Sequence, residues 1–307
     1  MHPALSVIVF TSVSGLGYGL AAVLGLGFLD PAALSTKLAH LVALAMVAGG
    51  LLSSTLHLHN PQRAWRAFSQ WRSSWLSREG VLAVASFVPL LIGAALSVLQ
   101  SRYSPLVGII SAIACACTVY CTAMIYASLK SVQAWDTPLT PAAYLLLSAS
   151  GGCLLGALFG LLGGGDMRLL LAVGVLLLVA AWAVKILWRQ RATNEPPLST
   201  PETATGLGHI GKVRLFEKPH SNDNYLTREM GFRVARKHAD KLFTIAILAG
   251  GAAPALLALL LILFGGQGTL AVIVAALAVL IHAFGVLVER WLFFAEARHA
   301  VINYYGR

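Results

Sequence analysis

Residues 242–288 read LFTIAILAGGAAPALLALLLILFGGQGTLAVIVAALAVLIHAFGVLV, a run of 47 residues that contains no Asp, Glu, Lys or Arg. A helix that crosses the hydrocarbon core of a bilayer needs about 20 apolar residues, since each residue adds about 1.5 Å. The run is therefore long enough for two spans. The Gly-rich sequence FGGQG at residues 264–268 predicts the turn between them.

Similar charge-free runs recur along the whole sequence, which is 58% hydrophobic and only 11% charged. Soluble domains carry about 25% charged residues, so the composition indicates a membrane protein. Strands of a membrane barrel would alternate apolar and polar residues, so we predict an all-α bundle that forms one domain over residues 1–307. The first span begins close to Met1 without a basic leader, and no signal peptide is predicted. The eight predicted spans are residues 5–29, 38–59, 80–100, 105–129, 138–163, 168–188, 242–264 and 268–290.

Positive charge is concentrated in alternate loops of the predicted bundle, and the net charge is +10. The loop after span two contains Arg63, Arg66, Arg72 and Arg78, and the long loop 189–241 contains ten Lys or Arg residues. The loops on the other side contain only Lys37, Arg102 and Arg168. The positive-inside rule therefore places the basic loops and both termini in the cytoplasm. No motif or interleaving of aromatic residues indicates nucleic-acid binding.

The long loop 189–241 divides into two parts by composition. Residues 194–208 are rich in Pro and Thr and are typical of a linker. Residues 224–241 alternate apolar with basic residues and predict an amphipathic helix that leads into span seven. Such a helix either lies on the membrane surface or docks a cytoplasmic partner, and the sequence supports both interpretations.

Four ionisable residues flank the exit of span two and the entry of span three: His57, His59, Arg63 and Glu79. A quinone headgroup needs hydrogen-bond donors at its carbonyls and takes up two protons with two electrons. A histidine can donate, accept and titrate near neutral pH, and a glutamate beside apolar surface can relay protons. The simpler interpretation is a topology charge at Arg63, a polar cap at His57 and a helix N-terminal charge at Glu79.

The sequence of this region resembles a known family. LHLHNPQRAW at residues 56–65, followed by WLSRE at 75–79, is similar to the H-L-x-x-P-x-R-A … L-S-x-E signature of the DMSO-reductase membrane-anchor family. GVLVERWLF at 285–293 resembles the family's last helix. REMGFRVARKHA at 228–239 resembles the anchor of its cytoplasmic sulfite-oxidising branch. The match departs at His59 and Asn60, where the family commonly has a Gly-Ser pair.

The resemblance implies a multi-pass subunit of the bacterial inner membrane that has no catalytic residues of its own. Its partners would be a molybdopterin subunit and a ferredoxin-like iron–sulfur subunit on the cytoplasmic face, which carry those cofactors. Ubiquinone or menaquinone would be its bound substrate, during sulfite oxidation. The family's quinone site maps onto His57, Arg63 and Glu79, and His59 would extend the polar site. The candidate cations for partner docking are Arg66, Arg72, Arg78, Arg228, Arg233, Arg236 and Lys237.

Several alternatives stay open at this point. One is an anchor of a sulfoxide reductase that oxidises quinol. A secondary transporter would need inverted repeats and broken helices with charges in the middle of the membrane, and no such repeat is evident. Haem b would need two histidines on facing helices, and no two histidines of this sequence have a spacing that demands it. His282 is interpreted as a buried, hydrogen-bonded histidine and His40 as an interfacial one. The four cysteines form no CxxC pair, so neither zinc nor an iron–sulfur cluster is predicted in this protein.

Overall fold

The computed structural model describes residues 4–55, 60–197, 199–214, 216–217, 238–265 and 268–305. These residues form an all-helical bundle, and eight helices are long and apolar enough to cross a membrane. The predicted number of spans is confirmed. The helices are α1 Leu5–Gly25, α2 Leu34–Thr55, α3 Trp75–Gln100, α4 Pro105–Ala127, α5 Leu139–Leu162, α6 Arg168–Asn194, α7 Ala239–Phe264 and α8 Thr269–Ala295.

The turn between α7 and α8 lies where the glycines predict it. Gly265 ends α7 with a φ of 59°, and Gly268 precedes α8 with a φ of 99°. Both values lie in the left-handed region that a side chain rarely adopts, which is why glycine is required there. The two residues between them lie outside the described part of the protein.

Helices α1 and α5 form the centre of the bundle. Helix α1 packs against α2, α4 and α5, while α5 also packs against α6 and α8. Close approach of α1 and α5 depends on Gly19 and Gly152, because a Cβ added to Gly19 would overlap the carbonyl of Ser148. Small residues at such contacts let membrane helices approach closely.

Two helices contain a π-helical turn, Phe10–Ser14 in α1 and Leu248–Ala252 in α7. Both turns contact α8. A π-turn widens the helix by one residue and frees backbone groups, and such turns are frequent at functional sites. Within the π-turn of α7, the carbonyl of Gly250 accepts a hydrogen bond of 2.6 Å from Nδ1 of His282.

Some helix ends differ from the sequence prediction. Helix α3 begins at Trp75 instead of residue 80, and α8 continues to Ala295 instead of ending at 290. The predicted Pro/Thr-rich linker contains a short helix, Pro201–Thr205, which a capping box between Thr200 and Thr203 begins. Most of the predicted amphipathic helix 224–241 lies outside the described residues.

Consecutive long helices alternate in direction, so successive connections lie at alternate ends of the bundle. We call the end where α2, α4, α6 and α8 finish the basic face, since the arginines of the loop segment Pro61–Gln70 lie there. Helices α1, α3, α5 and α7 begin at this face.

Candidate functional site

Glu79 lies in the first turns of α3 and is 6% exposed. Its carboxylate accepts a hydrogen bond of 2.5 Å from the hydroxyl of Thr122 on α4. The spacing of buried positions Ser77, Glu79, Ala83 and Ser86 on α3 turns this side chain into the bundle. An ionisable group placed there is costly unless it is hydrogen-bonded, and such groups in membrane helices are usually functional.

The entry of α3 is enclosed by aromatic rings. Trp75 and Tyr120 meet edge to face with ring centroids 6.0 Å apart. The guanidinium of Arg78 lies 4.2 Å from the centre of the Trp75 ring. Arg78 also donates to the carbonyls of Trp71 at 3.0 Å and Arg72 at 2.7 Å. This arginine therefore fixes the end of the loop segment against α3, a structural role beyond the docking role that the sequence suggests for it.

The loop segment Pro61–Gln70 forms a 3-10 helix that packs on the start of α3, with Phe68 beside Gly80. Its arginines Arg63 and Arg66 are exposed at the basic face, as is Arg72 just beyond the segment. Exposed Trp65 and Trp71 lie beneath the guanidinium groups of Arg66 and Arg72. Exposed cations above aromatic rings suit a surface that meets a partner or lipid headgroups.

Of the four predicted quinone-site residues, the structure places Glu79 and Arg63. Glu79 is buried and Arg63 is exposed on the neighbouring loop segment. His57 and His59 lie outside the described residues. The same holds for four of the predicted docking cations, Arg228, Arg233, Arg236 and Lys237.

An ion cluster in the bundle was not predicted. Nζ of Lys185 on α6 lies 2.6 Å from Oε1 of Glu289 on α8, and Nη1 of Arg290 lies 3.0 Å from Oε2 of Glu289. All three side chains are at most 3% exposed. The predicted span eight, residues 268–290, ends at the charged residues Glu289 and Arg290, and the sequence indicated no partner for either of them. The single Lys185 inside an apolar run was the available signal, since such a charge needs a partner.

Aromatic rings surround the cluster. Nζ of Lys185 lies 3.8 Å from the centre of the Trp188 ring, and the guanidinium of Arg290 lies 3.6 Å from that of Tyr144. Phe293 stacks on Trp135, whose indole N–H donates to the Phe293 carbonyl at 3.0 Å. Rings of this kind stabilise buried cations through their negative faces while excluding water.

The two histidines considered for haem lie in different surroundings. His282 is 1% exposed and bonds Gly250, as the sequence interpretation of a buried hydrogen-bonded histidine predicted. His40 lines a cavity of about 30 Å³ near the opposite end of the bundle, together with Arg102 and Tyr103. The described residues contain no group of three or more His, Cys, Asp or Glu side chains that could hold a metal ion.

Eight membrane-crossing helices around buried acidic and ionic groups define a multi-pass integral membrane protein. The model of the DMSO reductase anchor subunit (DmsC) family matches residues 1–295, and the chain belongs to that family. It is 33% identical to a subunit of the sulfite dehydrogenase of Allochromatium vinosum, over 99% of both proteins. It is 32% identical to one chain of the anaerobic dimethyl sulfoxide reductase of Escherichia coli, over 45% of this protein and 50% of that one. No solved structure matches the sequence.

Family membership makes the protein a membrane anchor subunit of a DMSO-reductase-type molybdoenzyme complex. An anchor of this kind implies catalytic and electron-transfer partner subunits. The Glu79 region, which the sequence resemblance singled out, is therefore the candidate site of such an anchor.

Proposed function

We propose that this protein is the quinone-reactive anchor of a sulfite-oxidising molybdoenzyme complex, and that the quinone headgroup binds beside Glu79. The observation that carries the proposal is the buried Glu79 carboxylate, hydrogen-bonded to Thr122 at the basic face. A molybdopterin subunit would oxidise sulfite and a ferredoxin-like subunit would pass two electrons to the quinone. The anchor contributes binding and protonation.

The surroundings of Glu79 suit a quinone. Trp75 and Tyr120 supply flat walls for a planar ring, and Tyr120 is 40% exposed at the side of the bundle. The outer surface of α3 is apolar, with Leu76, Val84 and Val88 exposed, as an isoprenoid tail lying in lipid requires. Glu79 can hold a proton at one quinone oxygen. We assign His57, Arg63 and His59 to the remaining polar contacts, because the sequence places them at the end of α2 and on the adjoining loop segment.

The assignment to sulfite oxidation rests on the extent of similarity. The sulfite dehydrogenase subunit matches over 99% of this protein, whereas the dimethyl sulfoxide reductase subunit matches over 45%. The alternative is quinol oxidation by a sulfoxide reductase, which would use the same residues in the opposite direction. Assays of the purified complex distinguish the two reactions. A sulfite-oxidising complex reduces quinone with sulfite, whereas a sulfoxide reductase reduces a sulfoxide with quinol.

The test of the site is Glu79→Gln in the complex purified from its native membrane. We expect sulfite-dependent quinone reduction to fall about 100-fold or more, since one positioned acid or base typically contributes that much. Reduction of a soluble dye that takes electrons directly from the partner subunits should be unchanged. His57→Ala tests the part of the site outside the described residues by the same pair of assays.

Glu195→Gln is the matched control, because Glu195 is an exposed carboxylate paired with Arg191 at the end of α6. It should leave both activities unchanged. Full quinone-linked activity of Glu79→Gln in an assembled complex would show that the headgroup binds elsewhere.

A further inference from the structure

A small polar cavity lies behind Glu79, between α1, α4, α5 and α8. Its volume is about 10 Å³, which is the lower limit for one ordered water molecule. Thr122 of α4 lines one side and Arg290 of α8 lines another. The cavity therefore separates the hydrogen-bond partner of Glu79 from the buried ion cluster.

The cavity wall is polar in a part of the bundle where apolar side chains would pack more easily. The π-turn of α1 presents Thr11, Ser12 and Ser14 to it. The hydroxyls of Ser12 and Tyr144 are buried there and have no hydrogen-bond partner in the described part of the protein. Leaving a buried hydroxyl unpaired costs about 1–3 kcal/mol, so two of them around one cavity indicate a bound water with several partners.

The hydroxyl of Thr122 is placed so that it can pass a proton to Glu79. Its hydroxyl has one proton and two acceptors in reach, Oε1 of Glu79 at 2.5 Å and the carbonyl of Thr118 at 3.1 Å. When Glu79 is ionised, Thr122 donates to it. When Glu79 is protonated, Thr122 accepts from it and donates to Thr118 or to a water in the cavity. The hydroxyl can therefore remain hydrogen-bonded in both protonation states of Glu79.

Arg290 connects the far side of the cavity to the ion cluster. It stays charged and holds Glu289, which is paired with Lys185. One turn further along α6, Arg189 pairs with Glu296 at 3.0 Å and with the fully exposed Asp240 at 2.9 Å. A line of polar groups thus leads from Glu79 through the cavity and the cluster to the basic face.

We propose that the cavity binds one water molecule, and that Thr122, this water and Tyr144 relay protons to Glu79 from the side of the cavity that faces the ion cluster. Arg290 is a positioning residue that orients the water. The relay rests on the proposed quinone site. It deepens that proposal by naming the path through which Glu79 regains the proton that it gives to the quinone.

Quinone takes two electrons from the iron–sulfur partner and two protons to become quinol, one proton from Glu79 and one from solvent at the basic face. When Glu79 protonates a quinone oxygen, its O–H bond breaks and an O–H bond forms on the quinone. Glu79 then takes the Thr122 proton, and Thr122 takes one from the cavity water. The hydroxide that remains is held by the Arg290 guanidinium until it is reprotonated from solvent at the basic face.

The first test replaces Thr122 in the purified complex. Thr122→Val removes the hydroxyl at nearly constant volume, and we expect quinone-linked kcat to fall about 10-fold, part of the 100-fold or more ascribed to a positioned proton donor. The KM for quinone should change less than twofold, because the headgroup site is intact. The solvent isotope effect on kcat in D₂O should rise as proton transfer becomes limiting. Thr122→Ser keeps the hydroxyl and should restore kcat.

The second test uses a matched pair of tyrosines. Tyr144 and Tyr126 stack on each other with centroids 6.0 Å apart, but only Tyr144 lines the cavity. Tyr144→Phe should lower kcat and raise the isotope effect, while Tyr126→Phe should leave both unchanged. If Tyr144 formed no hydrogen bond with a water molecule, Tyr144→Phe would change neither kcat nor the isotope effect.

The outcomes separate the relay from the quinone site. If Glu79→Gln abolishes quinone reduction while Thr122→Val and Tyr144→Phe keep normal kcat and isotope effects, the relay is wrong and the site stands. If Glu79→Gln is fully active, both proposals fail. Equal losses in Thr122→Ser and Thr122→Val, or in both tyrosine variants, would assign these residues to packing and overturn the relay.

Discussion

Two buried carboxylates toward the basic face of the bundle have opposite surroundings. Glu289 lies between the two cations Lys185 and Arg290, whereas Glu79 has the neutral Thr122 as its hydrogen-bond partner. A carboxylate between two cations is held in its charged form, while one beside a hydroxyl can exchange its proton with less change in electrostatic energy. This contrast makes Glu79 the group suited to protonate a substrate and Glu289 the group that keeps the cations in place.

The role of Glu289 in stability can be measured. Glu289→Gln leaves Lys185 and Arg290 buried with no anion, and removing one partner of such a pair costs about 3–5 kcal/mol. Glu296→Gln removes a partly exposed partner of Arg189, for which we expect about 0–1 kcal/mol. The measurement is the thermal unfolding midpoint of both variants in the same detergent. Equal midpoints would mean that the cluster does not depend on Glu289.

At the scale of helices, the contact between α1 and α5 depends on glycine. An added Cβ on Gly19 would overlap the Ser148 carbonyl, whereas one on Gly15 would meet nothing within 4 Å. Overpacking of this kind costs about 1–3 kcal/mol. We therefore expect Gly19→Ala to lower the unfolding midpoint and the yield of assembled complex, and Gly15→Ala to change neither. A Gly19→Ala variant as stable as Gly15→Ala would contradict the close packing of these helices.

The existence of the helices could be predicted from the sequence, but their ends and irregularities could not. A run without charges must be longer than the bilayer is thick, so the eight spans follow from composition. A charged residue does not mark the end of a helix when an oppositely charged partner is buried beside it. Helix α8 therefore continues past Glu289 and Arg290 to Ala295. The π-turn Phe10–Ser14 leaves no pattern in the sequence, because it is stabilised by packing against other helices.

The candidate site could be predicted only in part, because contacts between helices leave no local pattern in the sequence. Glu79 stands out as an ionisable residue at the edge of an apolar run, and a family motif contains it. Thr122 and Tyr144 are each one of several Ser, Thr and Tyr residues in their apolar spans, and most such residues serve packing. Only the tertiary fold brings Thr122 to Glu79 and Tyr144 to Arg290. The pairing of Lys185 with Glu289 joins residues more than a hundred positions apart, and no local pattern indicates it.

At the scale of the whole molecule, the orientation in the membrane decides where the partners dock. The distribution of Lys and Arg predicts that the basic face is cytoplasmic, although the bundle itself would fit either way. Glu79 lies near the basic face, so with quinone bound beside Glu79, as proposed above, an iron–sulfur subunit that delivers electrons over a short distance would dock there. The loop segment Pro61–Gln70, with its arginines and the exposed Trp65, would form part of that docking surface together with the exposed Trp71 that follows it.

Labelling of introduced thiols tests this orientation. Ala192 is exposed at the end of α6 on the basic face, and Ala32 is exposed in the connection from α1 to α2 at the opposite end. A charged maleimide that does not cross membranes should label Ala32→Cys in intact cells, and Ala192→Cys only after the cells are permeabilised. The unaltered protein, whose four cysteines are free and lie within α4 and α5, is the background control. Labelling of Ala192→Cys in intact cells would place the basic face outside the cytoplasm. The catalytic and iron–sulfur subunits would then have to be exported, and a cytoplasmic sulfite-oxidising complex would no longer fit this anchor.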